Sequence, residues 1–250
     1  MKFLQFAVLL TGFATLTNSC SKTPVDVGVD DNTYSTTAAV NKCDYSPYSP
    51  GSSFTFEIGT KNSFTGKWSY AENRGNMTAY KDINGKKYTA GTGFFPQDSS
   101  MKATEGFIRC DAVGLYSIVK GLNNGADVDF QLLQYPLVKA KTWKSPTYVQ
   151  TQNSNGITVT TSNTYDFKVV NIGLTRKVKD KTFTEVAEIE ESVTSVSGFQ
   201  GQSFTSKITY SRFYDKKLGI IETIFFNSDP FTGARSDTAL VQKLVSYSIK

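Results

Sequence analysis

The chain has 250 residues, with 27 Lys and Arg against 22 Asp and Glu, and it contains no histidine. The missing histidine excludes Ser-His-Asp and Cys-His nucleophilic sites and removes the commonest transition-metal ligand. The basic residues are scattered without an Arg-rich stripe, which argues against nucleic acid as a partner. We therefore expect a protein that is not an enzyme, with no catalytic residues, no metal site and no cofactor.

The first residues have the pattern of a processing signal. Lys2 supplies one positive charge, an apolar run covers Phe3 to Leu16, and small or polar residues lead into Cys20. This order predicts a signal peptide over residues 1–19. A cysteine directly after Ser19 resembles the lipobox of bacterial lipoproteins, in which the thiol is lipidated. Since Thr17 and its neighbour depart from the usual lipobox, an ordinary secretory signal stays open as the alternative.

Lipidation of Cys20 would be the membrane attachment of this protein. Burying acyl chains contributes about 0.8 kcal/mol per methylene, so two or more chains make a lasting anchor. The most apolar later run, Leu218 to Phe226, is far short of the roughly 20 residues that span a bilayer. We expect a lipid-anchored cell-envelope protein, most simply at the outer membrane on its periplasmic or outer surface, and a monomer.

After the signal peptide, the sequence divides into a tether and a folded region. Residues 20–42 are polar without an apolar period, which predicts a flexible tether with a reach on the order of 25 Å. Residues 43–250 form one β region, with possible internal halves at 43–130 and 131–250. In an oxidising compartment Cys43 and Cys110 are expected to form a disulfide worth about 4 kcal/mol. Two buried free thiols are the alternative.

From Tyr45 onward the sequence predicts antiparallel strands joined by short turns, because Thr, Ser, Val, Phe and Tyr alternate with Gly and Asn. Asn84-Gly85 predicts a type I′ hairpin that pairs Tyr80 with Thr89 and Asp82 with Lys87. Asn155-Gly156 predicts a second hairpin, which pairs Gln152 with Val159. Further long strands are expected at 203–214, 219–227 and 240–249, with at most a helical turn or two around 238–244.

A third hairpin is predicted to turn at Asp180-Lys181. It would place Val178 opposite Phe183 and Arg176 opposite Glu185, as an ordinary cross-strand ion pair.

The two halves carry similar short phrases. Pro47-Tyr48, Gly51 and Phe54 align without gaps on Pro136-Leu137, Ala140 and Trp143. Each half later contains a closing phrase, Gly114-Leu115-Tyr116 or Gly219-Ile220-Ile221. The spacing indicates a weak repeat, although any β protein can reuse such turn and anchor residues.

Two of these phrases resemble a known group. Residues 135–143 and the run Tyr-Asp-Lys-Lys-Leu-Gly-Ile-Ile at 214–221 look like those of uncharacterised Bacteroidetes-type lipoproteins. They are also similar to periplasmic proteins with the lipoprotein-carrier fold. That resemblance implies a strongly curved antiparallel sheet, a half-barrel or open barrel, around an apolar groove for acyl chains or hydrophobic ligands. It implies no catalytic residues.

Two groups of residues could carry chemistry, and both have simpler explanations. The acidic patch Glu185, Glu188, Glu190 and Glu191 has glycosidase-like spacing but is expected to be a solvated strand face. Aromatic residues of the first half could stack on sugars or line a cavity, and we expect most of them to be packing. They are Tyr45, Tyr48, Trp68, Tyr70, Tyr80 and Tyr88. Asp237-Thr238-Ala239 resembles a Bacteroidetes O-glycosylation signal, or it is a helix N-cap.

The sequence thus leaves two functions open. The first is a non-catalytic module that binds a hydrophobic or lipid-like small molecule, in a cavity of a few hundred Å³ lined by Phe, Ile, Leu and Val. The alternative is a cell-surface module for carbohydrate or protein contact, which predicts a flat aromatic patch on one sheet face.

Overall fold

The computed structural model describes residues 43–45, 48–92, 105–154, 157–199, 201–228 and 235–250. Of these residues 78% are strand, and among them there is no helix. The strands are β1 Ser53–Lys61, β2 Trp68–Ile83, β3 Lys86–Thr92, β4 Gly106–Cys110, β5 Gly114–Asn123, β6 Ala126–Gln134, β7 Thr142–Lys144, β8 Tyr148–Ser154, β9 Ile157–Val178, β10 Lys181–Phe199, β11 Gln202–Asp215, β12 Gly219–Ser228 and β13 Arg235–Ser248. The predicted signal peptide, Cys20 and the tether lie outside the described residues.

All thirteen strands belong to one antiparallel sheet, which curves into a nearly closed barrel with an unsealed seam. The order is β6-β5-β4-β3-β2-β1-β13-β12-β11-β10-β9-β7, and β8 pairs with β9 beside β7. The first strand therefore lies against the last in the middle of the sheet, while its edges come from the middle of the chain. The predicted fold class, an antiparallel and strongly curved open barrel, is confirmed. No helix among the described residues is long and apolar enough to cross a membrane.

The hairpin predicted at Asn84-Gly85 is confirmed, because these two residues determine the turn. Tyr80 pairs with Thr89 and Asp82 with Lys87, and both Asn84 and Gly85 have the positive φ of a type I′ turn. Gln152 pairs with Val159 as predicted, although the turn residues between these strands lie outside the described set. The long strands over 203–214, 219–227 and 240–249 are also confirmed.

Two local predictions are wrong. The third hairpin turns at Lys179-Asp180, so Val178 pairs with Lys181 and Arg176 with Phe183. Lys179 takes a positive φ of 56°, which moves the turn back by one residue. The helical turn expected around 238–244 is part of β13, because its residues pair with both β12 and β1.

The similar phrases of the two halves share local geometry. Gly51 and Ala140 both have positive φ, and the aromatic residue three positions later is buried in each case. The closing phrases both follow a turn in which an aspartate Oδ1 accepts two backbone N–H groups. Asp111 accepts from residues 113 and 114 at 2.8 and 3.0 Å, and Asp215 from residues 217 and 218 at 3.0 and 3.1 Å. Duplication of the halves stays a prediction.

The strand directions define two ends of the barrel. The tether end contains residues 43–45 and 48–51, near which the predicted tether joins, and the turns at 84–85, 111–113 and 216–218. The distal end contains the turns at 62–67 and 124–125 and the turn residue 201. Since β1 runs from one end toward the other over nine residues, they are about 26 Å apart along this strand at 3.3 Å per residue.

Candidate functional site

The inward face of the barrel is packed with large side chains. Buried residues from β1, β6, β9 and β11 belong to one continuous hydrophobic cluster. The Phe130 ring lies 4.7 Å from that of Tyr165 and 5.9 Å from that of Phe167, centroid to centroid. Phe54 extends across β2 at Gly75, where a Cβ atom would lie 1.5 Å from the ring. These contacts pack the inward face around Phe54 and Phe130 with aromatic rings.

Phe130 also brings the two edges of the sheet together across the seam. It belongs to β6, whereas its ring partners belong to β8 and β9. At the distal end Asn124 N–H donates to Val149 O at 2.6 Å. At the tether end the Lys141 ammonium donates to the carbonyls of residues 134, 135 and 136 at 3.0–3.1 Å. The seam is therefore bridged at both ends, although no continuous ladder of backbone bonds seals it.

The outer surface carries a flat aromatic pair near the distal end. Trp68 and Tyr70 alternate along β2 and point to the same side of the sheet, with 36% and 64% of their surface exposed. Their ring centroids are 6.3 Å apart and their planes differ by 20°. We call these two side chains the aromatic platform.

A glycine on the neighbouring strand makes room for the platform. Gly59 is directly opposite Tyr70, and a Cβ atom at Gly59 would lie 2.8 Å from Tyr70 Cε1 and 3.3 Å from Trp68 Cε3. Both rings therefore approach the β1 backbone more closely than a side chain at this position would allow. The exposed rings stay on a rigid sheet and do not depend on a loop for their position.

Polar groups border the platform. Lys61 is opposite Trp68, and its ammonium forms an ion pair with the carboxylate of Asp237 on β13. Hydrogen bonding by Lys61 holds the pKa of Asp237 below its ordinary value. Asp237 lies in β13 and not at a helix N-cap, whereas O-glycosylation at Asp237-Thr238-Ala239 stays a prediction. The hairpin between β1 and β2 adds Phe64, which is 89% exposed.

The other sequence-predicted aromatic residues divide between core and surface. Tyr48 and Tyr88 are buried, and Tyr45 is half-buried, as the packing interpretation expects. Tyr80 is 53% exposed, with the Lys87 ammonium 4.1 Å from its ring centroid. The packing interpretation is wrong for Trp68 and Tyr70. Their alternation on β2 was visible in the sequence, but the glycine that accommodates them belongs to another strand.

The acidic patch of β10 does not form one site. Glu185 is exposed beside Lys216, and Glu188 accepts a hydrogen bond from Asn171 at 3.0 Å. Glu191 points inward and is 1% exposed, so the solvated-face interpretation is wrong for this residue. Its carboxylate lies 2.9 Å from Arg212 Nε, and burial raises its pKa although Arg212 acts in the opposite direction.

The predicted ion pair of Arg176 with Glu185 is also wrong. Arg176 Nε lies 2.5 Å from Glu222 Oε2, because the shifted hairpin register turns Arg176 toward β12. Its guanidinium carbon also lies 3.4 Å from the Phe213 ring centroid. Both groups therefore hold neighbouring strands together.

A pocket of about 530 Å³ opens beside the β7 edge, and its lining is mainly polar. Lys144 and Asp166, which contribute to it, form an ion pair at 3.1 Å. The remaining lining residues are Thr142, Trp143, Phe167, Lys168, Glu190, Ser192 and Lys207. The charged lining does not suit an acyl chain, so this pocket differs from the predicted hydrophobic cavity.

Two solved structures are similar to this chain at low identity. One is a protein inferred to be exported, with a YmcC-like fold, from Bacteroides fragilis (9% identity, TM-score 0.42). The other is a protein inferred to be a lipoprotein, from Parabacteroides distasonis (8% identity, TM-score 0.42). Each similarity covers 81% of this chain and 97% of the other. No family model and no curated protein matches the chain. Similarity this distant carries no inference about function.

Proposed function

We propose that the mature chain is a lipid-anchored, non-catalytic module of the cell envelope that binds carbohydrate through the aromatic platform. The observation that carries the proposal is the pair of exposed, nearly parallel rings of Trp68 and Tyr70 above Gly59. The lipid anchor rests on the Ser19-Cys20 sequence. An outer-membrane position is part of the proposal.

The exposed rings of the aromatic platform are better explained by binding to the apolar face of a sugar ring than by packing within the protein. Large aromatic side chains gain most free energy when their faces are covered, and here much of both side chains is left in water. Two rings about one sugar length apart present a flat surface, and the Lys61–Asp237 pair beside them offers hydrogen bonds to hydroxyl groups. A flat aromatic patch on one sheet face is what the alternative of a module for carbohydrate or protein contact predicted from the sequence.

A hydrophobic or lipid-like ligand has less support. It requires an apolar cavity, whereas the described inward side chains pack against one another and include the charged groups of Glu191 and Arg212. An acyl chain would have to displace ring contacts such as that between Phe130 and Tyr165.

Binding can be measured with the purified mature lipoprotein in detergent by affinity electrophoresis in gels that contain hydroxyethyl cellulose, xylan or laminarin. We expect at least one polysaccharide to retard the protein, and Trp68→Ala to abolish the retardation. Tyr80→Ala is the matched control, since it removes an exposed aromatic residue of β2 outside the platform. Migration that no polysaccharide alters, or that Trp68→Ala leaves unchanged, contradicts the proposal.

Two further measurements separate the remaining alternatives. Organic-solvent extraction of the protein should release no lipid that is not covalently attached, and one bound lipid per chain would favour the hydrophobic-ligand hypothesis instead. Mass spectrometry should find the acyl chains on Cys20, and Cys20→Ser should release the protein from the membrane fraction. An unmodified Cys20 would rule out the anchor while leaving the platform untouched.

A further inference from the structure

A stripe of polar residues crosses four neighbouring strands on the inward face of the barrel. Arg212 of β11 is directly opposite Thr223 of β12, which is opposite Gln242 of β13. Glu191 of β10 is one diagonal step away, and its carboxylate pairs with Arg212 at 2.9 Å. All four residues are at most 4% exposed. We call this set the polar stripe.

Packing alone does not explain the polar stripe. A buried ion pair is commonly no more stabilising than apolar side chains of similar volume, because both charges lose their hydration. The surrounding inward residues, such as Ile189 and Leu244, show that apolar side chains fit this face. The stripe faces inward whereas the residues of the aromatic platform point outward, so it is independent of the proposed function.

Two atoms of the stripe have no hydrogen-bond partner among the residues that the structure describes. They are Glu191 Oε1 and Thr223 Oγ1, both with almost no accessible surface. Buried polar atoms in proteins are nearly always hydrogen-bonded, and internal water supplies the partner where the protein does not. The two atoms flank Arg212 on either side, since Thr223 is opposite it and Glu191 is paired with it.

We infer that the polar stripe is an internal binding site for ordered water, which bonds to Glu191 Oε1 and Thr223 Oγ1 beside the Arg212 guanidinium. Water fits because it can donate to the carboxylate oxygen on one side of Arg212 and either donate to or accept from the hydroxyl on the other. The same chemistry makes this part of the interior unsuitable for an acyl chain. The site would hold its water for much longer than the surface does, because the packed barrel closes around it.

Oxygen-17 relaxation dispersion of the solvent counts such long-lived internal water. We expect Thr223→Val to lose part of the dispersion amplitude, because valine keeps the shape of threonine without its hydroxyl, and Thr223→Ser to retain it. Thr89→Val is the matched control, since the buried Thr89 hydroxyl already donates to Tyr48 O at 2.8 Å. An unchanged amplitude in Thr223→Val overturns the inference.

Denaturant unfolding provides a second test, because the direction in which the unfolding midpoint shifts distinguishes a hydrated site from a dry one. If water satisfies the Thr223 hydroxyl, Thr223→Val breaks a hydrogen-bonded chain and lowers the unfolding midpoint. If the site is dry, valine relieves an unpaired hydroxyl and raises the midpoint. A raised midpoint therefore contradicts the inference, and neither outcome depends on whether the protein binds polysaccharide.

Discussion

The two ends of the barrel differ in how their side chains are used. At the tether end, the structure joins Cys43 to Cys110 by a disulfide with Cα atoms 5.7 Å apart. The same segment is held by a hydrogen bond from the Tyr135 hydroxyl to Asp44 O and by Tyr45 N–H, which donates to Lys216 O at 2.8 Å. Near the distal end, aromatic rings remain in water. The difference teaches that the disulfide and these hydrogen bonds lie where the predicted tether joins, whereas the aromatic platform lies near the opposite end.

Removal of the disulfide should have the largest effect on stability. The bond closes a loop across 67 positions, so the chain-entropy estimate for Cys43→Ser with Cys110→Ser is a loss of about 4 kcal/mol in the free energy of unfolding. Urea denaturation measures this loss. Polysaccharide binding below the transition should persist, because the platform is at the other end. A loss under about 1 kcal/mol would mean that the hydrogen bonds of residues 44 and 45 suffice.

The stability of the protein at acidic pH should depend on a network of charged side chains formed by Asp129, Arg109 and Lys86. Burial acts to raise the pKa of Asp129, but hydrogen bonds from Arg109 and Lys86 outweigh it, so this pKa lies below its ordinary value. A lowered folded-state pKa stabilises the protein above the unfolded-state pKa, and this contribution is lost as the pH falls toward the folded value.

Asp129→Asn should therefore cost about 1 kcal/mol near neutral pH, since partial exposure weakens the network. The cost should shrink as the pH falls from about 5 to 2. Urea midpoints across this range measure it, with the exposed Asp82→Asn as the control. A cost that stays constant with pH would assign the effect to packing instead of charge.

A substitution beneath the aromatic platform should have the smallest effect on stability and should still clearly weaken polysaccharide binding. Gly59→Ala places a methyl group 2.8 Å from Tyr70 Cε1, so the ring must move away from its position beside Trp68. We expect several-fold weaker polysaccharide retardation with a change in unfolding free energy below about 1 kcal/mol. Gly198→Ala is the matched control, since its nearest neighbour would be 3.8 Å away. Equal effects of the two substitutions on binding would argue against the platform.

Sequence reasoning predicted the parts of this fold that depend on neighbouring residues. Asn84-Gly85 dictates a turn, and that turn determines its hairpin register. The register of β9 with β10 was predicted wrongly because the turn lies at Lys179-Asp180, one residue earlier than predicted. The pairing then shifts again between Phe183 and Ile189, and alternation alone reveals neither irregularity.

The candidate sites depend on contacts between side chains of neighbouring strands. The exposure of the Trp68 and Tyr70 rings depends on Gly59, and the burial of Glu191 depends on Arg212, which lies on the next strand. Both pairs follow from a register that no local pattern encodes. The sequence shows which residue types are present, but it does not predict which face of the sheet each side chain occupies.

The position of β1 has a consequence for how the protein reaches its final state. This strand pairs with β2 on one side and with β13 on the other, so its second neighbour is the last strand of the chain. A chain exported from its N-terminus would expose that edge of β1 until residues 235–248 had followed. An unpaired strand edge invites association with other chains. Protection of nascent β1 during translocation would therefore matter until the C-terminus has been delivered.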